Sequence, residues 1–236
     1  MNEVISETGY HATSVKNANS ILNSEFHKSI STKEKMHWLG DGVYFFTDIA
    51  WATQWNINEL KKKKNKSKNI NEFTIIESLI EANKDYVFDL SSVIGKVTLS
   101  ILKEELIKKL QAEKKEDLLQ QINNRSLKFF MNILDDYGFL NKYYIVKATY
   151  IDKREAEKVH HSDDFILKVQ CQICVRNIEC IKNSEIYKST ENLKNIYSIL
   201  KSEGENDEKS RRNKKRNTAN SKWNYDKRNK RKNRAG

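Results

Sequence analysis

The alternation of apolar and polar residues predicts a chain that mixes strands and helices. Short runs rich in Val, Ile, Phe and Tyr predict strands at residues 9–13, 43–46, 72–81, 86–90, 143–150 and 164–176. Between several of these strands the apolar residues recur at helical spacing instead. Because strands and helices do not alternate regularly, we expect an α+β fold.

Two short helices are predicted directly after the first two strands. Ser14 is the expected N-cap of the first helix, and Thr47 or Asp48 is expected to begin the second. The helical period predicts which side chains face the core: Val15, Ala18, Ile21 and Leu22 in the first helix, and Ile49, Ala52, Gln54 and Trp55 in the second.

Further helices are predicted in the middle and near the end of the chain. Residues 91–139 keep apolar spacings of three and four, and Gly138 is expected to end this block. Residues 189–200 predict a last helix. Residues 61–68 contain six lysines and are expected to form a solvated loop.

Charge separates the C-terminal part of the chain from the rest. The sequence has no proline and a formal net charge of +11. Residues 209–236 contain 13 Lys or Arg and one Asp, so they carry +12 and leave −1 for the remainder. We therefore expect a nearly neutral folded body, followed over residues 201–236 by a disordered basic tail.

The basic tail also contains aromatic residues, Trp223 and Tyr225. Lys and Arg neutralise phosphates, while aromatic rings stack on unpaired bases. This combination predicts binding of RNA or another single-stranded nucleic acid through residues 209–236. A purely solubilising tail and a segment that orders on a protein partner, such as an antitoxin or chaperone, are the alternatives.

The cysteines indicate a reducing compartment. Cys171, Cys174 and Cys180 are an odd number and lie close together, which favours a cytoplasmic protein over a disulfide scaffold. Cys171 and Cys174 are three apart in a predicted strand and should point to opposite faces, so we expect core residues and no metal. No apolar run approaches the roughly 20 residues that span a bilayer, and Met1 to Tyr10 lacks the pattern of a secretory signal, so no membrane association is expected.

Three motifs carry the candidate chemistry. The first is Gly-Tyr-His-Ala-Thr at residues 9–13, and the second is Gly-Asp-Gly-Val-Tyr-Phe at residues 40–45. Each precedes a predicted helix. The third is Asp-Phe-Ile-Leu-Lys-Val-Gln-Cys-Gln-Ile at residues 164–173, late in the chain.

In order, spacing and local structure these motifs resemble the ADP-ribosyltransferase superfamily, in the branch that includes the poly(ADP-ribose) polymerases. The resemblance covers about residues 5–58 and 143–182. It implies split mixed and antiparallel β-sheets with flanking helices. The domain would extend over residues 1–200, with a helical insertion at about 91–139.

The resemblance implies a role for several residues in binding NAD as co-substrate, with no metal. His11 matches the histidine that hydrogen-bonds a ribose hydroxyl, and Tyr44 matches the tyrosine that stacks on nicotinamide. The backbone beside His11 would hold the nicotinamide amide, although Ala12 stands where the family commonly has Gly. The other implied contacts are Gly42, Ser29 and Trp55, with Trp51 as the alternative to Trp55.

The third catalytic residue implied by the resemblance is Asp164, eight positions before Gln172. A carboxylate here stabilises the positive charge that develops on the ribose and orients or deprotonates the acceptor. The family more often has Glu, which is one methylene longer. Asp163 and Gln170 are the alternatives.

The sequence therefore predicts an NAD-dependent mono-ADP-ribosyltransferase with His11, Tyr44 and Asp164 as catalytic residues. Family analogy indicates a toxin or antiviral defence effector, and the basic tail favours RNA as the acceptor. Two other interpretations stay open. One is a transferase that modifies protein side chains, and the other is a non-catalytic interaction module with a nucleic-acid-binding tail.

Overall fold

The computed structural model describes residues 3–32, 36–62, 69–124, 126–151 and 169–188, together with single helical positions at 195 and 198. Seven strands lie within this part of the chain: β1 (Val4–Ser14), β2 (Val43–Phe46), β3 (Phe73–Asn83), β4 (Val87–Asp89), β5 (Ile145–Ile151), β6 (Val169–Val175) and β7 (Ile181–Ile186). The helices are α1 (Val15–Asn23), α2 (Ile49–Leu60), α3 (Val93–Ala112), α4 (Glu116–Asn124) and α5 (Leu127–Asp136). The fold is a mixed one of strands and helices, consistent with the expected α+β class.

The strands form one seven-stranded sheet in the order β4-β5-β6-β2-β1-β3-β7. Neighbouring strands are antiparallel except β4 and β5, which are parallel. β1 pairs with β3 along its whole length, from Val4↔Asn83 to Ser14↔Phe73. In contrast, β1 and β2 pair only at Tyr10↔Phe46. The resemblance implies split sheets; the described strands instead form one sheet with a narrow junction between two half-sheets.

Each face of the sheet supports its own hydrophobic core, because side chains alternate along every strand. One face carries Phe45, Ile80 and Ile173 and packs against Ala18 of α1. The other face carries Val146 and Cys174 and packs against α3, α4 and α5 through Leu106, Ile122 and Leu134, among others. The helical block therefore covers the half-sheet that contains β4, β5 and β6.

The local signals for the helix ends are confirmed. The Ser14 side chain accepts a hydrogen bond from the Asn17 N–H at 3.2 Å, and Asp48 accepts from the Ala50 N–H at 2.7 Å. Gly138 has φ +75°, a left-handed conformation that ends α5 and favours glycine. The predicted helix at 189–200 lies outside the described residues, apart from positions 195 and 198.

Several predictions about helix faces are wrong. Val15 and Leu22 of α1, which were expected to face the core, are 36% and 37% exposed. Trp55 is 38% exposed, whereas Ala52 on the same helix is fully buried. The strand β7 was not predicted, because its sequence Ile-Lys-Asn-Ser-Glu-Ile has the polar residues of an exposed edge strand.

An ion pair joins the two half-sheets beside their narrow junction. Lys147 of β5 donates to the Glu7 carboxylate of β1 at 2.6 Å, and each side chain is only 24% exposed. Burial lowers the pKa of Lys147, but the hydrogen bond and charge of Glu7 outweigh it and raise that pKa overall. The pair thus connects strands that are three positions apart in the sheet.

The region Met1–Lys188 is one compact unit, and the candidate site lies within it. The expected boundaries at 200 and 201 fall outside the described residues. Among the helices that the structure describes, none is both long enough and apolar enough to cross a membrane.

We expect Glu7→Ala to lower the free energy of unfolding by more than about 1 kcal/mol, because it leaves a half-buried ammonium without its carboxylate. Glu3→Ala is the matched control, since Glu3 pairs with Lys84 at 2.8 Å but both side chains are more than half exposed. Denaturant unfolding measures both variants. Equal losses in the two would contradict a role for the buried pair in joining the half-sheets.

Candidate active site beside the junction of the half-sheets

The first two motifs meet through a hydrogen bond between His11 and Tyr44. The His11 Nδ1 lies 2.9 Å from the Tyr44 carbonyl oxygen. A carbonyl only accepts, so Nδ1 carries a proton and, in the neutral ring, Nε2 is an acceptor. The bond lies next to Tyr10↔Phe46, where the ladder between β1 and β2 stops. If β1 and β2 continued to pair, a backbone N–H would donate to the Tyr44 carbonyl. Here the His11 imidazole donates to it instead.

The surroundings of His11 favour its neutral form. The ring packs edge-on against Phe26 at 5.4 Å and lies 5.6 Å from Phe45, centroid to centroid. Burial lowers the pKa of His11, and this outweighs the hydrogen bond to Tyr44, which favours the charged ring. At neutral pH the ring therefore presents an unprotonated Nε2.

The Tyr44 hydroxyl is fixed inside the turn that precedes it. It donates to the Gly40 carbonyl at 2.7 Å and accepts from the Leu39 N–H at 3.0 Å. Burial raises the pKa of Tyr44 far above its ordinary value, so the hydroxyl stays protonated. The ring lies 5.6 Å from that of His37 and packs against the core on the helical side of the sheet. What Tyr44 offers a ligand is its ring, not its hydroxyl.

The two motif glycines are required for different reasons. Gly40 has φ +85°, a conformation that L side chains rarely adopt. A Cβ at Gly42 would lie 2.6 Å from the Cys174 Sγ and 2.7 Å from the Val175 carbonyl oxygen of β6. Ser29 holds the other side of Gly42 through two backbone hydrogen bonds of 2.9 and 3.1 Å. The turn is therefore clamped between β6 and the segment after α1.

A buried ion pair that the sequence did not reveal fixes the same turn. Asp135, at the end of α5, binds Arg176 in bidentate fashion at 2.6 and 2.8 Å. The Asp135 carboxylate also accepts from the Asp41 N–H at 2.9 Å, and Arg176 donates to the Asp41 carbonyl at 3.3 Å. Asp41 in turn accepts from the Ser31 N–H at 2.6 Å. No local signal links positions 41, 135 and 176, because they meet only in the folded chain.

Two tryptophans donate hydrogen bonds to strand β6. The Trp38 indole donates to Gln172 Oε1 at 2.5 Å, and the Trp51 indole donates to the Val169 carbonyl at 2.9 Å. Gln172 pairs with Phe46, which is two residues after Tyr44 on β2. The alternation of side chains therefore puts Gln172 and Tyr44 on the same face of the sheet. Trp51 is thus held against the strand of the third motif, whereas Trp55 is partly exposed.

Of the other residues predicted to belong to the site, two lie outside the described residues and two lie within them. Asp163 and Asp164 lie outside the described residues, and β6 is described from Val169 onward. Gln170 is half-buried and pairs with Tyr150. Ala12 is buried, pairs with Ile75 and does not have the positive φ that would require glycine.

The two cysteines of the Cys-x-x-Cys motif lie within strand β6. The alternation along the strand puts Cys171 and Cys174 on opposite faces. Burial raises the pKa of Cys174 to about 12, so its thiol is protonated at neutral pH. Among the described residues no group of three His, Cys, Asp or Glu side chains is placed to hold a metal ion.

We expect Tyr44→Phe to lower the free energy of unfolding by about 1–3 kcal/mol, because the buried Leu39 N–H and Gly40 carbonyl lose their shared partner. Tyr86→Phe, at a tyrosine that is 40% exposed, is the control for loss of a hydroxyl. Thermal or denaturant unfolding reports both values. Equal losses in the free energy of unfolding for the two variants would contradict a role of the Tyr44 hydroxyl in fixing the turn.

The lowered pKa of His11 predicts a pH-dependent stability. The unfolded chain takes up a proton near pH 6.5, about the ordinary value, while the native ring does so only at lower pH. The free energy of unfolding should therefore fall as the pH drops below about 6.5. His11→Gln should remove this part of the slope, measured by denaturant unfolding between neutral and mildly acidic pH. An unchanged slope would contradict a buried neutral imidazole.

Comparison with known proteins finds similarity over most of the chain. A protein of Methanocaldococcus jannaschii, named "Uncharacterized protein MJ0359", is 27% identical over 198 residues, which cover 76% of this chain and 86% of the relative. No family model matches the chain. No solved structure matches it.

Proposed function

We propose that the protein is an NAD-dependent mono-ADP-ribosyltransferase that releases nicotinamide. The observation that supports this most is the arrangement of the three motif strands. β2, which carries Tyr44, lies between β1, which carries His11, and β6, the strand of the third motif. Segments that are far apart in sequence are thus neighbours, and the His11 imidazole bonds directly to the Tyr44 backbone.

His11 is suited to hold a ribose hydroxyl. Its Nδ1–H is used by the Tyr44 carbonyl, so the orientation and tautomer of the ring are set before any ligand binds. The neutral Nε2 then accepts a hydrogen bond from a hydroxyl group. Such pre-orientation is what catalysis requires, because the geometry is set at folding rather than at reaction.

Tyr44 is suited to position the nicotinamide ring. Its hydroxyl and the glycine turn are fixed by Leu39, Gly40 and the Asp135–Arg176 pair, so the aromatic face is rigid. A stacked pair of rings contributes roughly 0.5–1.5 kcal/mol beyond burial. Trp55, or alternatively Trp51, would complete this site from the helix after β2; Trp51 is tied to β6 by its bond to the Val169 carbonyl, and Trp55 is 38% exposed.

In the reaction the bond between the ribose C1′ and the nicotinamide nitrogen breaks, and its electron pair leaves with nicotinamide. The ribose becomes oxocarbenium-like, and an acceptor oxygen or nitrogen bonds to C1′ while losing its proton. We assign to the Asp164 carboxylate the stabilisation of the positive charge and the uptake of that proton. The assignment rests on sequence position, since Asp164 is outside the described residues.

The acceptor that we favour is RNA, recruited by residues 209–236. These residues carry a net charge of +12, whereas the rest of the chain has −1. Phosphate neutralisation therefore has to come chiefly from this segment. A cytoplasmic toxin or defence effector, held in check by an antitoxin or chaperone, is the setting that family analogy favours.

The test is incubation with NAD labelled in its adenylate part, in the presence of RNA or of protein. We expect nicotinamide release and transfer of label to RNA in the parent chain. Asp164→Asn should reduce both at least 100-fold, since one positioned acid–base group contributes about 10²- to 10⁴-fold. His11→Ala and Tyr44→Ala should reduce both by about 2- to 13-fold, the equivalent of the roughly 0.5–1.5 kcal/mol of one hydrogen bond or one ring stack. His27→Ala, at an exposed histidine, is the matched control, and Asp163→Asn tests the alternative carboxylate. Folding of each variant is checked by its unfolding transition.

Each outcome separates the interpretations. Label on protein alone would replace RNA by protein side chains as the acceptor. No nicotinamide release under any condition would favour the non-catalytic module. If Asp163→Asn abolishes nicotinamide release and Asp164→Asn does not, the third catalytic residue is Asp163.

A further inference from the structure

Two aromatic side chains stand next to the candidate site. The Trp38 and Tyr150 ring centroids are 6.0 Å apart, and the ring planes meet at 67°, an edge-to-face contact. Tyr150 is 45% exposed and lies near the end of β5, beyond the three residues of that strand, 145–147, that pair with β4. Its neighbour in the sheet is Gln170 of β6, so this exposed ring beside the candidate active site presents a flat surface to a ligand.

The Trp38 ring is held in a fixed orientation. Its indole N–H donates to Gln172 Oε1 at 2.5 Å, and the ring packs against the core on the helical side of the sheet. Because the donor is already used, the ring offers a ligand its π face and edge rather than a hydrogen bond. Trp38 also precedes the glycine turn by two residues, so its position is tied to that of Tyr44.

Amide side chains accompany these rings along β6. Gln172 pairs with Ala148 and Gln170 pairs with Tyr150, so both glutamines share a sheet face with Tyr150. Flat aromatic faces with neighbouring amides are the combination that binds a nucleobase, which has a π face and hydrogen-bonding edges.

We propose that Trp38 and Tyr150 form a stacking platform for an unpaired base of the acceptor nucleic acid, next to the site of chemistry. This inference rests on the proposed transferase function and adds the residues that select an unpaired base. The tail would supply sequence-independent attraction to phosphates, while the platform would place one base near the ribose. Since every base has a π face, the platform distinguishes unpaired from paired strands rather than one sequence from another.

The experiment compares an ordinary single-stranded RNA oligonucleotide with one of equal length that has abasic positions. Both have the same phosphates, so the difference in their dissociation constants reports contacts to bases. We expect the full chain to bind the intact strand at least fivefold more tightly, the lower bound for one base–aromatic stack. Tyr150→Leu and Trp38→Leu should remove the difference, and Tyr150→Phe should keep it.

Tyr86→Leu is the matched control for the aromatic substitution. Tyr86 is 40% exposed and stacks on Tyr144 at 4.4 Å, so it is a similar surface ring. Tyr86 lies opposite Tyr144, just before β5 begins. Tyr144 is six residues from Tyr150, which is about 20 Å along an extended strand. This variant should keep the preference for the intact strand.

The proposal and the transferase function fail separately. Nicotinamide release without nucleic acid tests the function alone, because water then serves as the acceptor. If Tyr150→Leu raises the KM for NAD and leaves RNA binding unchanged, the platform holds the adenine of NAD and the proposal is overturned. It is also overturned if Tyr150→Leu and the parent chain prefer the intact strand equally.

Discussion

The ion pair between Asp135 and Arg176 is the interaction on which the geometry of the candidate site depends. Its side chains are 14% and 12% exposed, and both charges are hydrogen-bonded in bidentate fashion. Breaking such a buried pair typically costs about 3–5 kcal/mol, because one charge is left without compensation. Both partners also bind the backbone of Asp41, so the pair fixes the glycine turn between helix α5 and strand β6.

That fixed turn belongs to one half of the molecule, and His11 belongs to the other. Tyr44 and its turn are supported by the core under α3, α4 and α5, whereas His11 packs with Phe26 and Phe45 on the opposite face. The half-sheets meet at Tyr10↔Phe46, beside the His11–Tyr44 hydrogen bond. The structure therefore brings the His11 ring to the backbone of Tyr44, while the two side chains pack on opposite faces of the sheet.

The sequence predicted the features that have local causes. Ser14 and Asp48 cap their helices, Gly138 ends α5, and the run at 43–46 forms a strand, because each signal acts within a few residues. The aromatic and glycine pattern also located the stretch that becomes the turn. These features needed no information about the rest of the fold.

What the sequence did not predict depends on contacts between distant segments. The exposure of Trp55 follows from where α2 meets the sheet, which its own periodicity does not determine. The edge position of β7 leaves its polar residues in solvent and weakens the apolar pattern of a strand. The Asp135–Arg176 pair joins residues 41 positions apart, and an isolated Asp and Arg carry no signal that they are partners.

The backbone at Ala12 accommodates a side chain where the resemblance implies glycine. Ala12 stands where glycine is common, and glycine is needed only for a positive φ or a close approach. Ala12 has neither a positive φ nor a break in its pairing, since it lies opposite Ile75 in a continuous ladder. A Cβ at Gly9, in contrast, would lie 2.9 Å from the Phe45 Cβ. The close approach of β1 to β2 is therefore at Gly9, whereas the extended backbone at Ala12 accepts a Cβ.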